Sequence, residues 1–200
     1  MKNKFVSYNI LNLTHQKGGL TLSQKHRLAS LIPFIKECIL PCVFGFVAAI
    51  LINKFICFTA YVPSASMEPT IMTGDFMIVS RLINAEKLER GDVVVFESKE
   101  FGKTFVKRLI AIGGDTIELK ATGEVYLNGE RLEEEYVVNK PTVQREQTFV
   151  VPEGHYFFLG DNRPNSGDAR EWENPFIPAE DVLGKPLFVL YPFNNFGKIK

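Results

Sequence analysis

The sequence predicts an all-β, mostly antiparallel ectodomain that follows one N-terminal transmembrane helix. Three observations favour this architecture. Residues 38–62 carry a single charge, residues 1–36 hold six Lys and Arg and no Asp or Glu, and from residue 70 onward short runs of Val, Ile and Phe alternate with turn signals. The chain of 200 residues is therefore expected to comprise a basic cytoplasmic segment (1–36), a transmembrane helix (37–62) and an extracytoplasmic β-rich domain (63–200).

The composition excludes several classes of protein. With 46% hydrophobic and 23% charged residues, the chain is neither a disordered tail nor a collagen or coiled coil. Its net charge is zero, whereas nucleic-acid-binding proteins carry a basic excess, so no nucleic-acid partner is expected. The cysteines, Cys38, Cys42 and Cys57, all precede the β-rich part, which therefore lacks a disulfide framework. Three histidines are too few for an ordinary zinc site, and we expect no metal and no cofactor.

The apolar segment is long enough to cross a bilayer only if it runs through Lys54. The uncharged stretch Cys38–Ile52 is shorter than the roughly 20 residues that a transmembrane helix needs, and the apolar pattern resumes at Phe55. A lysine near one end of such a helix can extend its ammonium group to the interface. Because Lys and Arg flank the N-terminal side, we expect a single-pass cell-membrane protein whose N-terminus is cytoplasmic.

Two other interpretations of this segment are less favourable. A buried core helix is disfavoured because such a long apolar run with a basic flank is uncommon inside a domain of this size. A cleaved signal peptide, with Ser64-Ala65-Ser66 as the cleavage site, is disfavoured because the apolar span exceeds the usual core of about 7–15 residues.

Eight segments after the anchor have the Val, Ile and Phe content of strands, with turn signals between them. They are Phe76–Ser80, Asp92–Glu97, Thr104–Ile112, Thr116–Lys120, Glu124–Leu127, Thr148–Val151, Tyr156–Leu159 and Leu187–Tyr191. Asn128-Gly129 predicts a two-residue hairpin turn that leads into Glu130-Arg131-Leu132. Beyond residue 62 we expect no long helix, only a turn or two at Leu82–Leu88 and Pro178–Val182.

The segment Pro63–Thr70 is the first candidate for chemistry. Two serines, Ser64 and Ser66, lie between prolines, which restrict the backbone to a rigid path. A serine hydroxyl becomes a nucleophile when a neighbouring base takes its proton, and a second hydroxyl could hold a developing oxyanion. A proline- and serine-rich linker next to the membrane would show the same pattern, so this segment alone leaves both interpretations open.

Two residues could supply the base. His155 is the one histidine of the ectodomain, but its place in a tight turn indicates a structural role. Lys107 lies in the predicted strand Thr104–Ile112, and its neighbour Arg108 points to the opposite face. Both faces are apolar, so periodicity does not decide which cation is buried. Lysine can lose its proton on burial whereas arginine cannot, which makes Lys107 the better base. A half-exposed lysine would be the alternative.

The third candidate is the polar loop Gly160–Arg170, which follows an apolar strand. Asp161 or Asp168 can pair with Arg163 or Arg170, and Ser166 could hydrogen-bond to a nearby amine. By itself, this composition is more typical of a solvated loop than of a site.

In this order and spacing the segments resemble type I signal peptidases, membrane enzymes that remove signal peptides from exported proteins. Pro-Ser-x-Ser-Met-x-Pro-Thr is met at 63–70, Gly-Asp with an apolar stretch at 74–79, a Lys-Arg strand ending in Gly-Asp at 107–115, and Gly-Asp-Asn-x-x-x-Ser-x-Asp-x-Arg at 160–170. The resemblance extends from about residue 33 to 192.

The resemblance implies a Ser/Lys dyad that cleaves preproteins after small residues (Ala-x-Ala). Ser66 would be the nucleophile and neutral Lys107 its general base. The Ser64 hydroxyl and the Ser66 N–H would form the oxyanion hole, and Ser166 would orient the Lys107 amine. The supporting residues of the loop would be Asp161, Asp168 and Arg170, and the residues lining shallow substrate pockets would be Val62, Met67, Ile71, Phe105 and Val106.

One residue departs from the family pattern, since Ala169 stands where the family often has serine. The short stretch between Asp115 and Gly160 implies that the large second β-lobe of some members is absent. The expected partners are signal-peptide-bearing preproteins and the lipid bilayer, and the sequence carries no signal for an oligomeric state. Two alternatives to the peptidase are a self-cleaving Ser/Lys relative and an inactive membrane-tethered β-domain that binds exported proteins.

Overall fold

The computed structural model describes residues 33, 35–84, 87–139 and 145–199. The chain divides into two compact units, residues 1–48 and 49–200. Most of the predicted basic segment lies outside the described residues.

The N-terminal apolar segment is helical. A π-helical turn, Ile35–Ile39, leads into helix α1, Leu40–Phe55. Within the described chain, Lys36–Phe55 is the one helix long and apolar enough to cross a membrane, with 20 residues and a mean hydropathy of 2.1, and none of that span is buried. A transmembrane helix thus remains the interpretation of this segment.

The predicted end of the helix at residue 62 is wrong. The helix ends at Phe55, and Cys57–Tyr61 forms strand β1 instead. This strand pairs antiparallel with Phe76–Ser80, which satisfies its backbone hydrogen-bonding groups along one edge. Hydropathy alone did not distinguish the apolar strand from the end of the helix, because both have the same apolar composition.

The described residues between 57 and 198 form an antiparallel β-domain, as predicted. In chain order its strands are β1 (Cys57–Tyr61), β2 (Phe76–Ser80), β3 (Val93–Ser98), β4 (Lys103–Ile112), β5 (Thr116–Leu119), β6 (Val125–Leu127), β7 (Glu130–Arg131), β8 (Gln147–Val150), β9 (His155–Leu159), β10 (Phe176–Pro178), β11 (Val182–Tyr191) and β12 (Gly197–Lys198). The larger sheet has the order β1-β2-β11-β3-β4-β9-β10, with β12 on β11, and the smaller sheet has the order β7-β6-β5-β8.

All eight predicted strands are present, although the last begins at Val182 rather than at Leu187. The early part of β11 escaped prediction because Gly184 and Pro186 interrupt its apolar alternation. Gly184 is needed there, since a Cβ atom at this position would lie 2.3 Å from the Ser80 carbonyl oxygen of the neighbouring strand. The short strands β10 and β12 were not predicted either.

The predicted hairpin turn is confirmed. Asn128 and Gly129 both have positive φ angles, 53° and 85°, as a two-residue type I′ turn requires. A 3-10 turn at Ala179–Asp181 lies within the predicted segment Pro178–Val182. In the other predicted turn, the Lys87 N–H donates to the Asn84 carbonyl oxygen, while residues 85 and 86 lie outside the described part of the chain.

The pairing of β4 leaves an opening beside the site. Residues 103–108 of β4 pair with β3 on one edge, whereas β9 joins the other edge of β4 only from Arg108 onward. Residues 103–107 therefore have no strand on that edge among the described residues. Strand β1 likewise pairs with β2 alone, so two strand segments have an edge available to an extended peptide.

Candidate active site

Ser66 lies in the loop between β1 and β2, as a residue of the segment Pro63–Thr70. Two backbone hydrogen bonds close the base of this loop, from the Val62 N–H to Asp75 O (2.9 Å) and from the Gly74 N–H to Val62 O (2.8 Å). Met67, directly after Ser66, is fully buried in the core. The backbone at Ser66 is therefore held by packing on one side and by the closed loop on the other.

Ser64 and Ser66 are close to each other but differ in exposure. Their Oγ atoms are 3.4 Å apart. Ser66 is buried, whereas Ser64 is exposed. A hydroxyl at this distance could donate to an oxyanion that develops beside Ser66, which is the role that the resemblance implies for Ser64.

Lys107 and Arg108 are both buried, with 2% and 4% of their surface exposed. The sequence left open which of the two cations is buried, and the structure shows that strand β4 buries one on each face. Lys107 Nζ donates a hydrogen bond to Ser166 Oγ (3.0 Å). Burial lowers the pKa of Lys107 from 10.5 to about 8; Arg170 also lowers it, and Asp168 and Asp161 oppose the shift.

The loop Gly160–Arg170 binds directly to the backbone of the segment Pro63–Thr70, which we call the serine segment. The Asn162 N–H donates to Ser66 O (3.0 Å), and Asn162 Nδ2 donates to Ala65 O (3.0 Å). At Gly160 the approach is closer still, since a Cβ atom there would lie 2.5 Å from Ser66 O and 2.2 Å from Ser166 Oγ. Gly160 thus lies between the backbone of Ser66 and the Ser166 hydroxyl, which accepts a hydrogen bond from Lys107.

Asp168 and Arg170 form an ion pair within this loop. Asp168 is fully buried and accepts from the Gly160 N–H (3.0 Å) and from Arg170 Nε (2.7 Å). Arg170 Nη2 also donates to Ser166 O (3.2 Å). The ion pair therefore fixes both Gly160 and Ser166, the two residues between Ser66 and Lys107. None of these three hydrogen bonds involves the side chain of Ala169.

Asp161 pairs with Arg108 rather than with an arginine of its own loop. Arg108 Nε and Nη2 donate to the two carboxylate oxygens of Asp161 at 2.9 and 2.6 Å, and both side chains are buried. Thr70 Oγ1 donates to the same carboxylate (2.5 Å). This pair connects strand β4, the polar loop and the end of the serine segment in one network.

Glu134 and Tyr136 belong to the site, although the sequence analysis did not select them. Arg163 donates to both carboxylate oxygens of Glu134, whose side chain is 1% exposed, and Arg163 Nε donates to Gly160 O (3.1 Å). The Tyr136 hydroxyl donates to Glu134 Oε1 (3.1 Å), and its ring lies 4.0 Å from Arg108. The available signal was the run Glu133-Glu134-Glu135, but it does not show which carboxylate is buried.

A cavity of about 400 Å³ opens beside Ser66. Its lining comes mainly from β1, the serine segment and the first residues of β4, which have no strand on one edge. The lining residues are Phe58, Ala60, Tyr61, Val62, Pro63, Ser64, Ser66, Met77, Val95, Lys103, Thr104, Phe105 and Val106. The predicted pocket residues Val62, Phe105 and Val106 line it. Met67 and Ile71 do not, because both are fully buried in the core below.

The other candidates do not take part in this arrangement. His155 Nδ1 lies 3.0 Å from the carbonyl oxygen of Glu153, within the turn that precedes β9. Within the described ranges, no group of three or more His, Cys, Asp or Glu side chains could hold a metal ion.

Comparison with known proteins identifies the family. The family model of signal peptidase, peptidase S26, matches residues 35–191. This chain belongs to the signal peptidase family. A probable signal peptidase I-1 of Synechocystis is 35% identical over 175 residues, covering 83% of this chain and 87% of the relative. Signal peptidase I P of Bacillus subtilis subsp. natto is 32% identical over 168 residues, covering 79% and 89% of the two chains.

A solved structure of a signal peptidase I from Enterococcus faecalis V583 is 33% identical in sequence, with a TM-score of 0.44. The match covers 50% of this chain and 96% of the chain in the solved structure. The match to the family model confirms the prediction of a signal peptidase.

Substituting Gly160 should impair catalysis by separating Ser66 from Ser166. A Cβ atom at Gly160 would overlap both residues, and a displacement of about 1 Å at a reacting group can cost about 100-fold in rate. We therefore expect Gly160→Ala to reduce preprotein cleavage by about 100-fold or more. The matched control is Gly167→Ala in the same loop, where the nearest atom, Glu171 Oε2, lies 3.9 Å from the added Cβ. Cleavage by Gly160→Ala at the control's rate would contradict this account.

Proposed function

We propose that this signal peptidase uses Ser66 as its nucleophile and Lys107 as the general base, and that it removes signal peptides from exported preproteins. The observation that carries the proposal is the buried amine of Lys107, whose pKa is lowered to about 8 and whose partner Ser166 lies against Gly160 together with Ser66. A lysine in this state has a substantial neutral fraction near pH 8 and can accept a proton.

In the first step, neutral Lys107 Nζ takes the proton of Ser66 Oγ while this oxygen bonds to the scissile carbonyl carbon. The ammonium then gives the proton to the departing amine as the C–N bond breaks. A water molecule then attacks the acyl carbon and gives a proton to Lys107, which returns it to Ser66 Oγ as the ester bond breaks, so that the acyl group is released and both residues are regenerated. The Ser64 hydroxyl and the Ser66 N–H stabilise the oxyanion in both halves of the reaction.

The hydrogen bonds of Ser66 and Lys107 are compatible with this reaction. Ser66 Oγ lies near Ser64 Oγ, and Lys107 Nζ donates to Ser166; among the described residues no hydrogen bond joins Ser66 Oγ to Lys107 Nζ. Catalytic hydrogen bonds often tighten only when substrate binds. Substrate binding beside Ser66 would exclude water and bring the hydroxyl and the amine together.

The cavity supports an extended substrate with small side chains near the cleaved bond. The edges of β1 and of residues 103–107 can pair with a peptide backbone, which positions the chain without reading its sequence. Val62, Phe105 and Val106 then limit the size of the side chains beside Ser66. Such a site would prefer Ala-x-Ala before the cleaved bond.

The apolar helix would anchor this site at the membrane. Its length and hydropathy suit one bilayer crossing, and the basic residues before it favour a cytoplasmic N-terminus. The β-domain would then face the extracytoplasmic side, where exported preproteins emerge. An anchored enzyme meets a membrane-held signal peptide at a raised effective concentration.

The roles of the two serines can be separated by substitution. Ser66→Ala should abolish preprotein cleavage because it removes the nucleophile, while Ser64→Ala should retain a rate reduced by about 10²–10³, the usual cost of one lost oxyanion donor. Initial rates with full-length enzyme in detergent measure both, and circular dichroism checks that each variant is folded. Cleavage by Ser66→Ala, or equal inactivity of the two variants, would show that the roles are misassigned.

The role of Lys107 predicts a rate that rises with pH. Below its pKa of about 8 the amine is protonated and cannot act as a base, so kcat/KM should increase as pH rises through this value. Lys107→Arg should be inactive because arginine keeps its proton, and Lys120→Arg on the surface serves as the matched control. A Lys107→Arg enzyme with the control's turnover would exclude lysine as the base.

A further inference from the structure

The cavity beside Ser66 contains one charged lining residue. Its other lining residues are apolar, Pro, Ser or Thr, whereas Lys103 brings a cation to the end of the cavity where β4 begins. The mechanism proposed above makes no use of this charge. A cation in an otherwise uncharged peptide-binding cavity can distinguish substrates by charge.

Lys103 has no carboxylate partner among the described residues, although acidic residues lie nearby in sequence. Glu100 accepts hydrogen bonds from the N–H groups of Glu173 (3.2 Å) and Asn174 (2.9 Å). Glu97 lies opposite Thr104 and Ser98 lies opposite Lys103, so strand alternation directs Glu97 to the other face. The neighbouring cation, Lys99, is already paired with Glu180 and Asp181. The charge of Lys103 is therefore available to a ligand.

The distance along β4 shows which part of a substrate would meet this charge. Lys103 precedes Lys107 by four residues in one strand, which corresponds to about 13 Å. An extended peptide has nearly the same rise per residue. If its scissile carbonyl lies at Ser66 and Lys107, and the residues before the cleaved bond extend along β4 towards Lys103, the side chains about four to six positions before that bond lie beside Lys103.

We propose that Lys103 is a specificity-determining residue that favours preproteins with an acidic side chain about four to six residues before the cleavage site and disfavours those with a basic one there. This inference rests on the proposed function, because it requires the substrate to lie between β1 and β4. Exposed ion pairs contribute modestly, so replacing Asn by Asp at the matching position should raise kcat/KM by about two- to fivefold.

The test uses full-length enzyme in neutral detergent with soluble peptides that differ only at the position five residues before the cleaved bond. We expect kcat/KM to be highest with Asp at this position, intermediate with Asn and lowest with Lys. Lys103→Gln should abolish the order and Lys103→Glu should reverse it. The matched control, Lys99→Gln, removes a cation of the same region that is already paired and should keep the wild-type order. Raising the salt from about 0.1 M to about 1 M should compress the differences, since it shortens the screening length.

Three results would overturn the proposal. Equal cleavage of the three peptides by the wild type would show that the enzyme does not distinguish the charge of this side chain. An unchanged order of kcat/KM in Lys103→Gln would show that another residue recognises the charge. The third result is that, in anionic lipid vesicles, Lys103→Gln cleaves all three peptides more slowly than the wild type by the same factor. The lysine would then bind lipid phosphate instead. In each case cleavage itself persists and the proposed peptidase function stands. That function fails separately, if neither the peptides nor a preprotein is cleaved or if Ser66→Ala cleaves them equally well.

Discussion

The amine of Lys107 lies in the interior of the β-domain, where water cannot solvate its charge. A shift of its pKa from 10.5 to about 8 corresponds to about 3 kcal/mol, an order-of-magnitude figure for the penalty on the charged form. The folded state bears this penalty fully below pH 8, and the penalty disappears as pH rises to the unfolded value of 10.5. The fold is thus less stable at neutral pH with this amine inside, and the surrounding residues must hold it in place.

The surrounding arginines and carboxylates provide that support in pairs. Arg108 with Asp161, Arg163 with Glu134, and Arg170 with Asp168 each form two charge-assisted hydrogen bonds. Buried charges are tolerated only when they are paired in this way. All three pairs hold the polar loop, and through Gly160 and Asn162 that loop holds the backbone of Ser66. Among the described buried cations of this site, Lys107 alone has no carboxylate hydrogen-bond partner, a condition that its proposed role as a base requires.

The sequence was sufficient for the eight strands that it predicted, because alternation is a local property, whereas the proposed dyad rests on the resemblance to the family. It was not sufficient for strand β1, whose apolar residues continue those of helix α1 without a break in hydropathy. Part of the cavity was missed for the same reason, since Phe58 and Ala60 come from β1. Met67 and Ile71 were assigned to the pockets, but they face the core because the closed loop turns them inward. Glu134 was missed because its pairing with Arg163 depends on tertiary contact.

The protonation state of Lys107 can be measured directly. In full-length protein labelled with ¹³C at lysine Cε, the resonance absent from Lys107→Arg belongs to this residue, and its chemical shift can be followed with pH. The account predicts a midpoint of about 8. A midpoint near the ordinary lysine value of 10.5 would show that the amine stays protonated at neutral pH, which would contradict its role as the base.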